Sequence, residues 1–560
     1  MNFRKILAEK IKIDGVEKEQ LSSMFTIPPN IEMGDFALPC FSFAKIQKCS
    51  PMQIAQNLAD ELKQDELIAK VDVVNGYLNI YLDREKATQL IMQELQNKQD
   101  LASNDIGKGK KVCIDFSSVN VAKAPHIGHF SGTVIGASIA RIYEKMGFDV
   151  VKMNYLGDYG TQFGKLVRAY QKWGNKDEVE SRGIDALQEL YIRVNAECEN
   201  DEELLAECRD TFKKMEEKDP EVMKLFEWVK NLSIEEVKRT LFEPLQLTFD
   251  DWRGEQYYAQ YTDKALKDLE QSGIAKISQG ALIVDLEEYN LGIAIIRQSN
   301  GTTLYLTRDI CTAMDRKREY DFDKCIYIVG VEQKLHFAQL FKILELMGND
   351  WAKNLVHLVN GRLRLPEGRL SSRKGNQALA KDIMAMAIQK AEETMRERGV
   401  AVNKERAKDI GLGALVFSAL KSGISKDSVF VLEDAINFDG ETGPYLMYTH
   451  ARCASIIRKA KDIDLGNIEY NSQVDASWEL VTMVNKFGDV MYNAYLENEP
   501  SVIARYLLDL ASVFNKFYHD NRIITEDNEL TKKNVAITSI VAKIIKQGLQ
   551  VLGINAPDEM

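Results

Sequence analysis

The sequence has few cysteines, and none are spaced as metal ligands. Its eight cysteines are scattered through 560 residues without a CxxC pair, so neither a zinc framework nor a disulfide scaffold is predicted. Several lie in apolar segments and are expected to be buried thiols in a reducing cytoplasm. No stretch approaches the apolar length of a membrane helix, and the N-terminus lacks the pattern of a signal peptide. We therefore expect a soluble, cytoplasmic protein.

An excess of positive charge is also absent. Lysine and arginine number 72 against 84 aspartates and glutamates, which gives a formal net charge of -12. This balance argues against a protein that binds nucleic acid through overall attraction, but a local basic face would be enough for an RNA partner. Hydrophobic residues at 45% and charged residues at 28% are typical of globular domains. The length suggests three or four of them.

Residues 120–133, which read NVAKAPHIGHFSGT, are the most informative stretch. They follow an apolar segment, residues 111–116, that predicts a buried strand, and they precede a pattern that predicts a helix. A strand, a glycine turn and a helix N-terminus form a phosphate-binding arrangement in α/β sheets. His126 and His129 could donate to phosphates there, and Gly128 permits a close backbone approach. The stretch predicts a nucleotide site; the alternative is two histidines that cap a turn.

This His-x-Gly-His pattern is the HIGH signature of class I aminoacyl-tRNA synthetases, and its surroundings resemble the arginyl-tRNA synthetases. Ser117, Ser118, Asn120 and Lys123 stand where that family places them, and the resemblance continues along nearly the whole chain. It implies ATP-dependent ligation of L-arginine to tRNA(Arg), with Mg²⁺ accompanying ATP and no dedicated metal site. It also implies an α/β, Rossmann-like catalytic domain, an N-terminal α+β domain and a C-terminal all-α anticodon-binding bundle.

The resemblance also predicts the nucleotide site. The second class I signature, KMSKS, corresponds to RLSSRKGN at residues 369–376, where Ser372 replaces the second lysine. Which cation replaces it stays open between Lys123, Arg373 and Lys374. The predicted catalytic residues are Lys123, His126, His129, Arg373 and Lys374. The predicted ATP-binding residues are Ala124, Pro125, His126, Ile127, Gly128, His129, Ser371 and Ser372.

Tyr305 and Asp309 are the strongest candidates for holding arginine. They are four residues apart and would share one face of a helix, where a ring can pack on a guanidinium and a carboxylate can accept from it. The alternative is that Asp309 is only a first-turn acid, with Arg316, Lys317 and Arg318 as dipole-compensating cations on later turns. The residues that the resemblance predicts to bind arginine are Asp115, Ser117, Asn120, Tyr305, Asp309 and Gln333. Asp115 stands where the family usually has glutamate.

Four domains are predicted. They are an N-terminal α+β domain (1–108), a catalytic domain (109–376) with a connective insertion at about 165–300, a helical bridge (377–436) and a helical anticodon-binding domain (437–560). In the first, helices are expected over Arg4–Ile11 and Met52–Leu67, and Asn75-Gly76 predicts a hairpin. The insertion shows charged amphipathic helices and no β-rich editing module. Near its start, Asp158 and Gln162 either shape the pocket or cap a helix.

The residues predicted to bind tRNA follow from the resemblance. They are Asp35, Phe36, Arg452, Arg458, Asn515 and Arg522. For Asp35 and Phe36, a turn residue and a core aromatic are the alternative interpretation. The family is commonly monomeric, so a monomer is expected.

Three other functions remain possible from the residues. A different class I synthetase would lack the YLTRD string at residues 305–309. A catalytically silent tRNA-binding paralogue would be expected to lose the HIGH histidines or the substrate acids. A small-molecule nucleotidyltransferase offers no reason for so long a C-terminal helical region.

Overall fold

The computed structural model describes residues 1–366, 378–466, 468–471 and 473–560. An α+β region, a region built on a parallel sheet and a region of packed helices follow one another along the chain. Buried side chains from all three regions, among them Ile91, Ile139 and Leu549, meet in one hydrophobic core. This is the fold class predicted from the sequence.

The first region is a small sheet covered by helices. Its elements are α1 (Phe3–Lys10), α2 (Lys18–Met24), β1 (Phe36–Pro39), α3 (Ala44–Gln47), α4 (Pro51–Leu62), β2 (Ile68–Val74), β3 (Tyr77–Leu82) and α5 (Arg84–Asn97). The sheet is antiparallel in the order β1-β3-β2. Asn75 and Gly76 join β2 to β3 with φ of 50° and 80°, the positive values that a type I′ turn requires. The predicted hairpin is confirmed.

Helix prediction in this region was wrong in two places. The helix expected over Met52–Leu67 ends at Leu62. Beyond it, Asp65 accepts a hydrogen bond from the backbone N–H of Leu67, which supports a turn into β2 instead of another helical turn. The helix Lys18–Met24 was not predicted, because seven residues are too few to show a helical period.

The second region contains the main sheet. Its elements are β4 (Lys111–Asp115), α6 (Ile127–Lys145), β5 (Asp149–Met153), α7 (Thr161–Trp173), α8 (Lys176–Arg182), α9 (Ile184–Cys198), α10 (Glu202–Glu216), α11 (Pro220–Val237), α12 (Glu255–Ala259), α13 (Thr262–Gln271), β6 (Ala275–Ser278), β7 (Ala281–Asp285), β8 (Ile293–Arg297), α14 (Tyr305–Tyr320), β9 (Lys324–Gly330), α15 (Lys334–Leu346), β10 (Leu355–Asn360) and β11 (Leu363–Arg364).

Four parallel strands form the main sheet in the order β10-β9-β4-β5. β4 pairs with β5 on one side and with β9 on the other, so the direction of winding reverses at β4. In a sheet of this kind, ligands bind outside the carboxyl ends of the strands at the reversal. Asp115 and Gly330 end β4 and β9. The predicted residues Ser117, Asn120, His126 and His129 follow β4, Gln333 follows β9, and Tyr305 and Asp309 lie at the start of α14, which precedes β9.

The connective insertion differs from its prediction in one respect. Its charged helices are present as α9, α10 and α11, but β6, β7 and β8 then form a separate antiparallel sheet in that order. The sequence analysis did not predict this sheet. Gln279 and Gly280 turn β6 into β7 with positive φ of 49° and 80°. A Gln-Gly pair is a weaker hairpin signal than Asn-Gly.

The third region is helical. Its elements are α16 (Ala380–Glu397), α17 (Lys404–Leu420), β12 (Ser428–Val429), α18 (Leu432–Ala435), α19 (Gly443–Lys459), α20 (Val474–Asn485), α21 (Phe487–Glu497), α22 (Ser501–Asp520) and α23 (Asn528–Leu552). α17 begins at Lys404, where the side chain of Asn403 accepts a hydrogen bond from the backbone N–H of Arg406. Asn403 is therefore the N-cap of this helix.

One expectation about membrane length was wrong. Among the described residues, α23 has 25 residues and a mean hydropathy of 1.4 over its most apolar window, which is long and apolar enough to cross a bilayer. However, 72% of that window is buried inside the protein, as expected for the core helix of a bundle.

α6 connects the main sheet to the third region. It contacts α17, α21 and α23, and Tyr143 near its C-terminal end donates a hydrogen bond of 2.7 Å to Asn498. Its N-terminal end lies at the carboxyl edge of the sheet, where His126 and His129 are. One helix therefore reaches from the candidate active site to the helical region.

Candidate active site

His126 and His129 cap the N-terminus of α6 reciprocally. His126 is the N-cap, and its Nδ1 accepts a hydrogen bond of 3.0 Å from the backbone N–H of Gly128. The backbone N–H of His126 in turn donates to Nδ1 of His129 at 3.2 Å. A Cβ on residue 128 would lie 2.9 Å from Cε1 of His126, so glycine is needed for the ring to fold back. The two ring centroids are 3.9 Å apart.

These hydrogen bonds fix the protonation of both imidazoles. Since Nδ1 is an acceptor in each ring, the proton of the neutral ring must be on Nε2. Burial lowers the pKa of His126, and burial together with the charges of His126 and Lys123 lowers the pKa of His129 to about 3. Both rings are therefore neutral near pH 7 and offer an Nε2–H donor beside a helix N-terminus. This arrangement can bind anionic oxygen.

The loop between β4 and α6 has an unusual backbone. Ser117, Ser118 and Ala122 have positive φ of 73°, 45° and 59°, which cost of order 1–3 kcal/mol each in non-glycine residues. Oγ of Ser117 and Oγ1 of Thr133 are 2.7 Å apart, which ties the loop to α6. Such strain occurs most often at functional sites.

Asn120 lies beside the loop that follows β5. Its backbone lies in a bridge with Gly157, and a Cβ on Gly157 would be only 2.4 Å from Oδ1 of Asn120. Asp158 next to it is fully buried, accepts from the backbone N–H of Gln256 and pairs with Lys230 at 2.7 Å. Asp158 therefore supports the start of α12, whereas α7, the next helix along the chain, begins without a side-chain cap. The role of Asp158 in shaping the pocket stays a prediction. Gln162 donates to the backbone carbonyl of Tyr159.

The chain returns to the His126 turn just before α16. The N–H of Ile127 donates to the carbonyl of Ala378 at 3.0 Å, and the N–H of Ala380 donates to that of Pro125 at 2.8 Å. Pro125 and Ile127 are buried, Ala124 is half-buried and Lys123 is exposed. The other predicted nucleotide and catalytic residues, Ser371, Ser372, Arg373 and Lys374, lie outside the described residues.

Tyr305 begins α14 and Asp309 lies four residues later, so the two residues share one face of the helix, as predicted. The Tyr305 side chain is 63% exposed, so one ring face is open to a ligand. Oδ2 of Asp309 lies 2.5 Å from Nε2 of His336; an ionised carboxylate only accepts, so Nε2 is the donor. Gln333 ends a short 3₁₀ turn after β9 and is exposed.

Asp115 is placed more deeply than its predicted role suggests. Its side chain is 4% exposed, and its Oδ2 lies 2.7 Å from Nη1 of Arg316. In the alternative interpretation Arg316 is a dipole-compensating cation on a later turn, but its side chain is 1% exposed. It continues the buried stripe Leu306, Ile310 and Ala313, yet this spacing alone does not predict burial, because a charged side chain is buried only where it finds a partner.

Glu255 and Arg308 were missed by the sequence analysis. Nε of Arg308 lies 3.3 Å from Oε2 of Glu255, and its guanidinium packs between the rings of Tyr159 and Tyr305 at 5.0 and 4.9 Å. Burial raises the pKa of Glu255 to about 7, against the opposing effect of Arg308. Only Arg308, inside the YLTRD string, had a sequence signal.

The predicted tRNA residues of the first region are engaged within the protein. Asp35 accepts from the backbone N–H of Leu82 at 2.8 Å and from Nε1–H of Trp478 at 3.1 Å. Phe36 is half-buried, with its ring 6.4 Å from that of Phe3. Asp35 thus joins the first region to α20, and its contact with tRNA stays a prediction.

In the third region, Arg452 lines a pocket and is bonded to Asn515. Arg452 donates to Oδ1 of Asn515, and its guanidinium lies 4.9 and 5.1 Å from the rings of Tyr448 and Tyr518. The pocket has a volume of about 450 Å³, and its lining includes Tyr448, Arg452, Arg458, Lys459, Tyr518 and Met560. Arg458 donates to the carbonyl of Asp558. Arg522 is exposed.

Comparison with known proteins identifies the same three regions. Residues 1–82 match the family described as arginyl tRNA synthetase N terminal domain, residues 90–432 match tRNA synthetases class I (R), catalytic domain, and residues 446–560 match the DALR anticodon binding domain. The arginine–tRNA ligase of Clostridioides difficile (strain 630) is 41% identical over 555 residues, 98% of each chain. That of Alkaliphilus metalliredigens (strain QYMF) is 40% identical over 565 residues, 100% of each chain.

A solved structure shows the same architecture. Thermus thermophilus arginyl-tRNA synthetase superposes with a TM-score of 0.78 at 25% identity, over 100% of this chain and 99% of that chain. A parallel sheet with a histidine-capped helix at its carboxyl edge, joined to a helical region, defines a class I aminoacyl-tRNA synthetase, an enzyme that uses ATP. Within that class, the chain belongs to the arginyl-tRNA synthetase family and ligates arginine to tRNA in protein synthesis. The predicted family and activity are confirmed.

Proposed function

We propose that the chain carries out this ligation in two steps at the carboxyl edge of the main sheet. The arginine carboxylate attacks the α-phosphorus of ATP, the bond to pyrophosphate breaks, and arginyl-adenylate forms. The ribose hydroxyl of the terminal adenosine of tRNA(Arg) then takes the arginyl group and releases AMP. The observation that supports this is the reciprocal cap of His126 and His129, which leaves two neutral Nε2–H donors for phosphate oxygen. Catalysis then depends on positioning and charge stabilisation.

ATP would lie along the turn that begins α6. The apolar Ala124, Pro125 and Ile127 border this turn, and Gly128 keeps it narrow. Lys123 is exposed beside it and supplies positive charge. Mg²⁺ would arrive with ATP as the counter-ion of its phosphates. The contribution of Ser371, Ser372, Arg373 and Lys374 rests on the KMSKS resemblance.

Arginine would bind between α14 and the ends of β4 and β9. The Tyr305 ring offers an open face for the guanidinium, and Asp309 offers the carboxylate. Asp115 adds a second carboxylate from below, while Gln333, Asn120 and Ser117 border the part of the substrate nearer ATP. The group that distinguishes arginine from other amino acids is then recognised by charge and by ring stacking together.

The pocket around Arg452 would receive an anticodon base. Its tyrosine rings offer stacking surfaces, and Arg452, Arg458 and Lys459 offer positive charge. In this proposal, Asn515 positions Arg452, because its amide is already bonded to Arg452, Tyr445 and Thr449. Arg522 would contact the RNA backbone.

The first region would contact the tRNA elbow. Besides Asp35 and Phe36, the exposed rings of Phe41 and Tyr77 support this contact, because they form an edge-to-face pair with centroids 5.3 Å apart beside the β2–β3 turn. Exposed aromatic rings of this kind stack on unpaired bases.

We keep the domain division predicted from the sequence, which is 1–108, 109–376, 377–436 and 437–560. In this division the helical bridge, 377–436, contacts the tRNA stem. We propose that the enzyme acts in the cytoplasm as a monomer, away from membranes.

The experiment that tests this function is arginine-dependent exchange of pyrophosphate into ATP, measured with and without tRNA(Arg). Exchange with arginine and not with other amino acids is expected, and a requirement for tRNA would show that tRNA completes the site. Folded protein without exchange under either condition would contradict the proposal.

A further inference from the structure

Three carboxylates meet beside the proposed arginine position. They are Asp115, Glu255 and Asp309, and the charge of Asp309 raises the pKa of both Asp115 and Glu255. Two of the three already hold an arginine of the chain: Asp115 pairs with Arg316, and Glu255 pairs with Arg308. Asp309 is bonded to Nε2 of His336 and holds no arginine of the chain among the described residues.

Arg316 is an unusual residue to find in this position. Its side chain is 1% exposed, and its guanidinium lies 5.5 and 5.6 Å from the rings of Tyr155 and Tyr327. Its Nε has no hydrogen-bond partner among the described residues. A buried ion pair is often no more stabilising than apolar side chains of the same volume. Stability alone therefore gives no reason for this cation.

The geometry of Asp115 suggests what the cation does. Oδ2 is held by Arg316 at 2.7 Å, whereas the buried Oδ1 has no hydrogen-bond partner among the described residues. A buried carboxylate oxygen without a donor is costly unless a ligand supplies one. Asp309, which lies seven residues before Arg316, is on the same face of α14.

We propose that Arg316 is a positioning residue for the substrate arginine and acts through Asp115. Arg316 holds Oδ2 of Asp115 and leaves Oδ1 free to accept from the substrate guanidinium. This proposal rests on the proposed placement of arginine beside Asp115 and Asp309. Asp115 is shorter than the glutamate that the family usually has at this position, and its pairing with Arg316 fixes the carboxylate in one orientation. The protein's own guanidinium thereby sets the position of the substrate's guanidinium.

Arg316 also maintains the charge of Asp115. Burial raises the pKa of Asp115, and Arg316 opposes this rise. The other titratable groups around the pair include Asp309 on α14, Asp251 before α12, Tyr155 after β5, Tyr258 on α12, Cys113 on β4, and Cys325 and Tyr327 on β9. Burial raises the pKa of each of these tyrosines and cysteines, so they stay neutral. Without Arg316, Asp115 would become protonated at a higher pH.

The test is a titration of the full-length enzyme with L-arginine at pH 6.5 and pH 8.5. Arg316→Met is expected to weaken arginine binding by about tenfold or more at the lower pH and by less at the higher pH, with ATP binding unchanged. Arg316→Lys, which keeps the charge, should show a smaller pH dependence. Arg318→Met is the matched control, since Arg318 is exposed on the same helix, and it should behave as the unmodified enzyme.

The Asp115→Asn variant separates the role of Arg316 from the placement of the substrate arginine beside Asp115. If it weakens arginine binding while Arg316→Met does not, or if Arg316→Met acts equally at both pH values, the role of Arg316 is overturned and the site stands. If Asp115→Asn leaves arginine binding unchanged, the placement of arginine beside Asp115 is itself wrong.

A double variant covers the case in which Arg316→Met does not fold. Asp115→Asn with Arg316→Met removes the buried charge as well as its partner, and a melting curve reports whether it folds. The proposal predicts that it binds arginine as weakly as Asp115→Asn alone, without pH dependence. A further loss of about tenfold beyond Asp115→Asn would mean that Arg316 acts independently, which overturns the proposal.

Discussion

The proposed arginine site and the pocket around Arg452 both contain arginine and tyrosine side chains, yet we propose that they bind ligands of opposite charge. Beside α14, Arg308 and Arg316 are buried and paired with carboxylates. In the helical region, Arg452 lies between two tyrosine rings and is bonded to the neutral Asn515. We therefore propose that the partner of each arginine, and not its presence alone, decides whether the site binds a cation or an RNA.

This comparison also explains the overall charge. A net charge of -12 does not exclude tRNA binding, because a local group of cations such as Arg452, Arg458 and Lys459 can contact RNA on an acidic protein. Asp115, Glu255 and Asp309 lie near one another where we propose that the substrate guanidinium binds. Separate variants of the two pockets should therefore change the binding of one substrate and leave that of the other.

The largest effect is expected at the nucleotide turn. His129→Ala removes an Nε2–H donor to the reacting phosphate and should lower the rate of adenylate formation by about 10²–10³-fold. Single-turnover adenylate formation and tRNA binding, measured on the same preparation, check this. His519→Ala is the control, because His519 is exposed on α22. An equal loss of adenylate formation and tRNA binding in folded His129→Ala protein would contradict the role given to His129.

The next effect is expected at Asp309. Asp309→Asn removes the charge that would receive the guanidinium, so arginine affinity should fall by about 10–100-fold while tRNA affinity is kept. Asp321→Asn at the C-terminal end of the same helix is the matched control, since Asp321 is exposed. Unchanged arginine affinity in Asp309→Asn would remove Asp309 from the site.

A smaller effect, on tRNA affinity instead of arginine affinity, is expected at Arg452. Arg452→Ala takes a cation from between two stacking rings and should weaken tRNA(Arg) binding by about tenfold, with arginine affinity unchanged. Lys516→Ala removes an exposed charge from α22 and should have little effect. Equal losses in these two variants would mean that the pocket contributes only general attraction.

The smallest effect concerns pH. The pKa of His129 is lowered from 6.5 to about 3 in the folded protein, so in the unfolded chain it binds a proton first as the pH falls. Its contribution to stability is present above pH 6.5 and is lost progressively as the pH falls towards 3. The melting temperature of the unmodified protein minus that of His129→Asn should therefore decrease between pH 7.5 and pH 5. A constant or increasing difference would show that His129 is not kept neutral by the fold.

Patterns made by neighbouring residues were predictable from the sequence. The His126 turn, the Asn75-Gly76 hairpin and the start of α14 at Tyr305 each depend on contacts within a few residues, and each was found where expected. The parallel strands were also predictable, because buried strands form short, uninterrupted apolar segments.

Features that depend on distant parts of the chain were not predictable. The burial of Arg316 depends on Asp115, Tyr155 and Tyr327, which come from three other elements. The hydrogen bond between Asp35 and Trp478 joins residues 443 positions apart. The β6–β8 sheet was missed because its strands are short and are joined by turns with weak sequence signals. Such strands are stabilised by pairing with one another, which the composition of each strand does not show.

The most direct measurement is a crystal structure of the enzyme with L-arginine and a non-hydrolysable ATP analogue. We predict that the guanidinium lies against the Tyr305 ring, within hydrogen-bond distance of Asp309 and of Oδ1 of Asp115. We also predict that Nε2 of His126 and of His129 face the phosphates. A guanidinium bound away from both carboxylates, or phosphates out of reach of both histidines, would contradict these predictions.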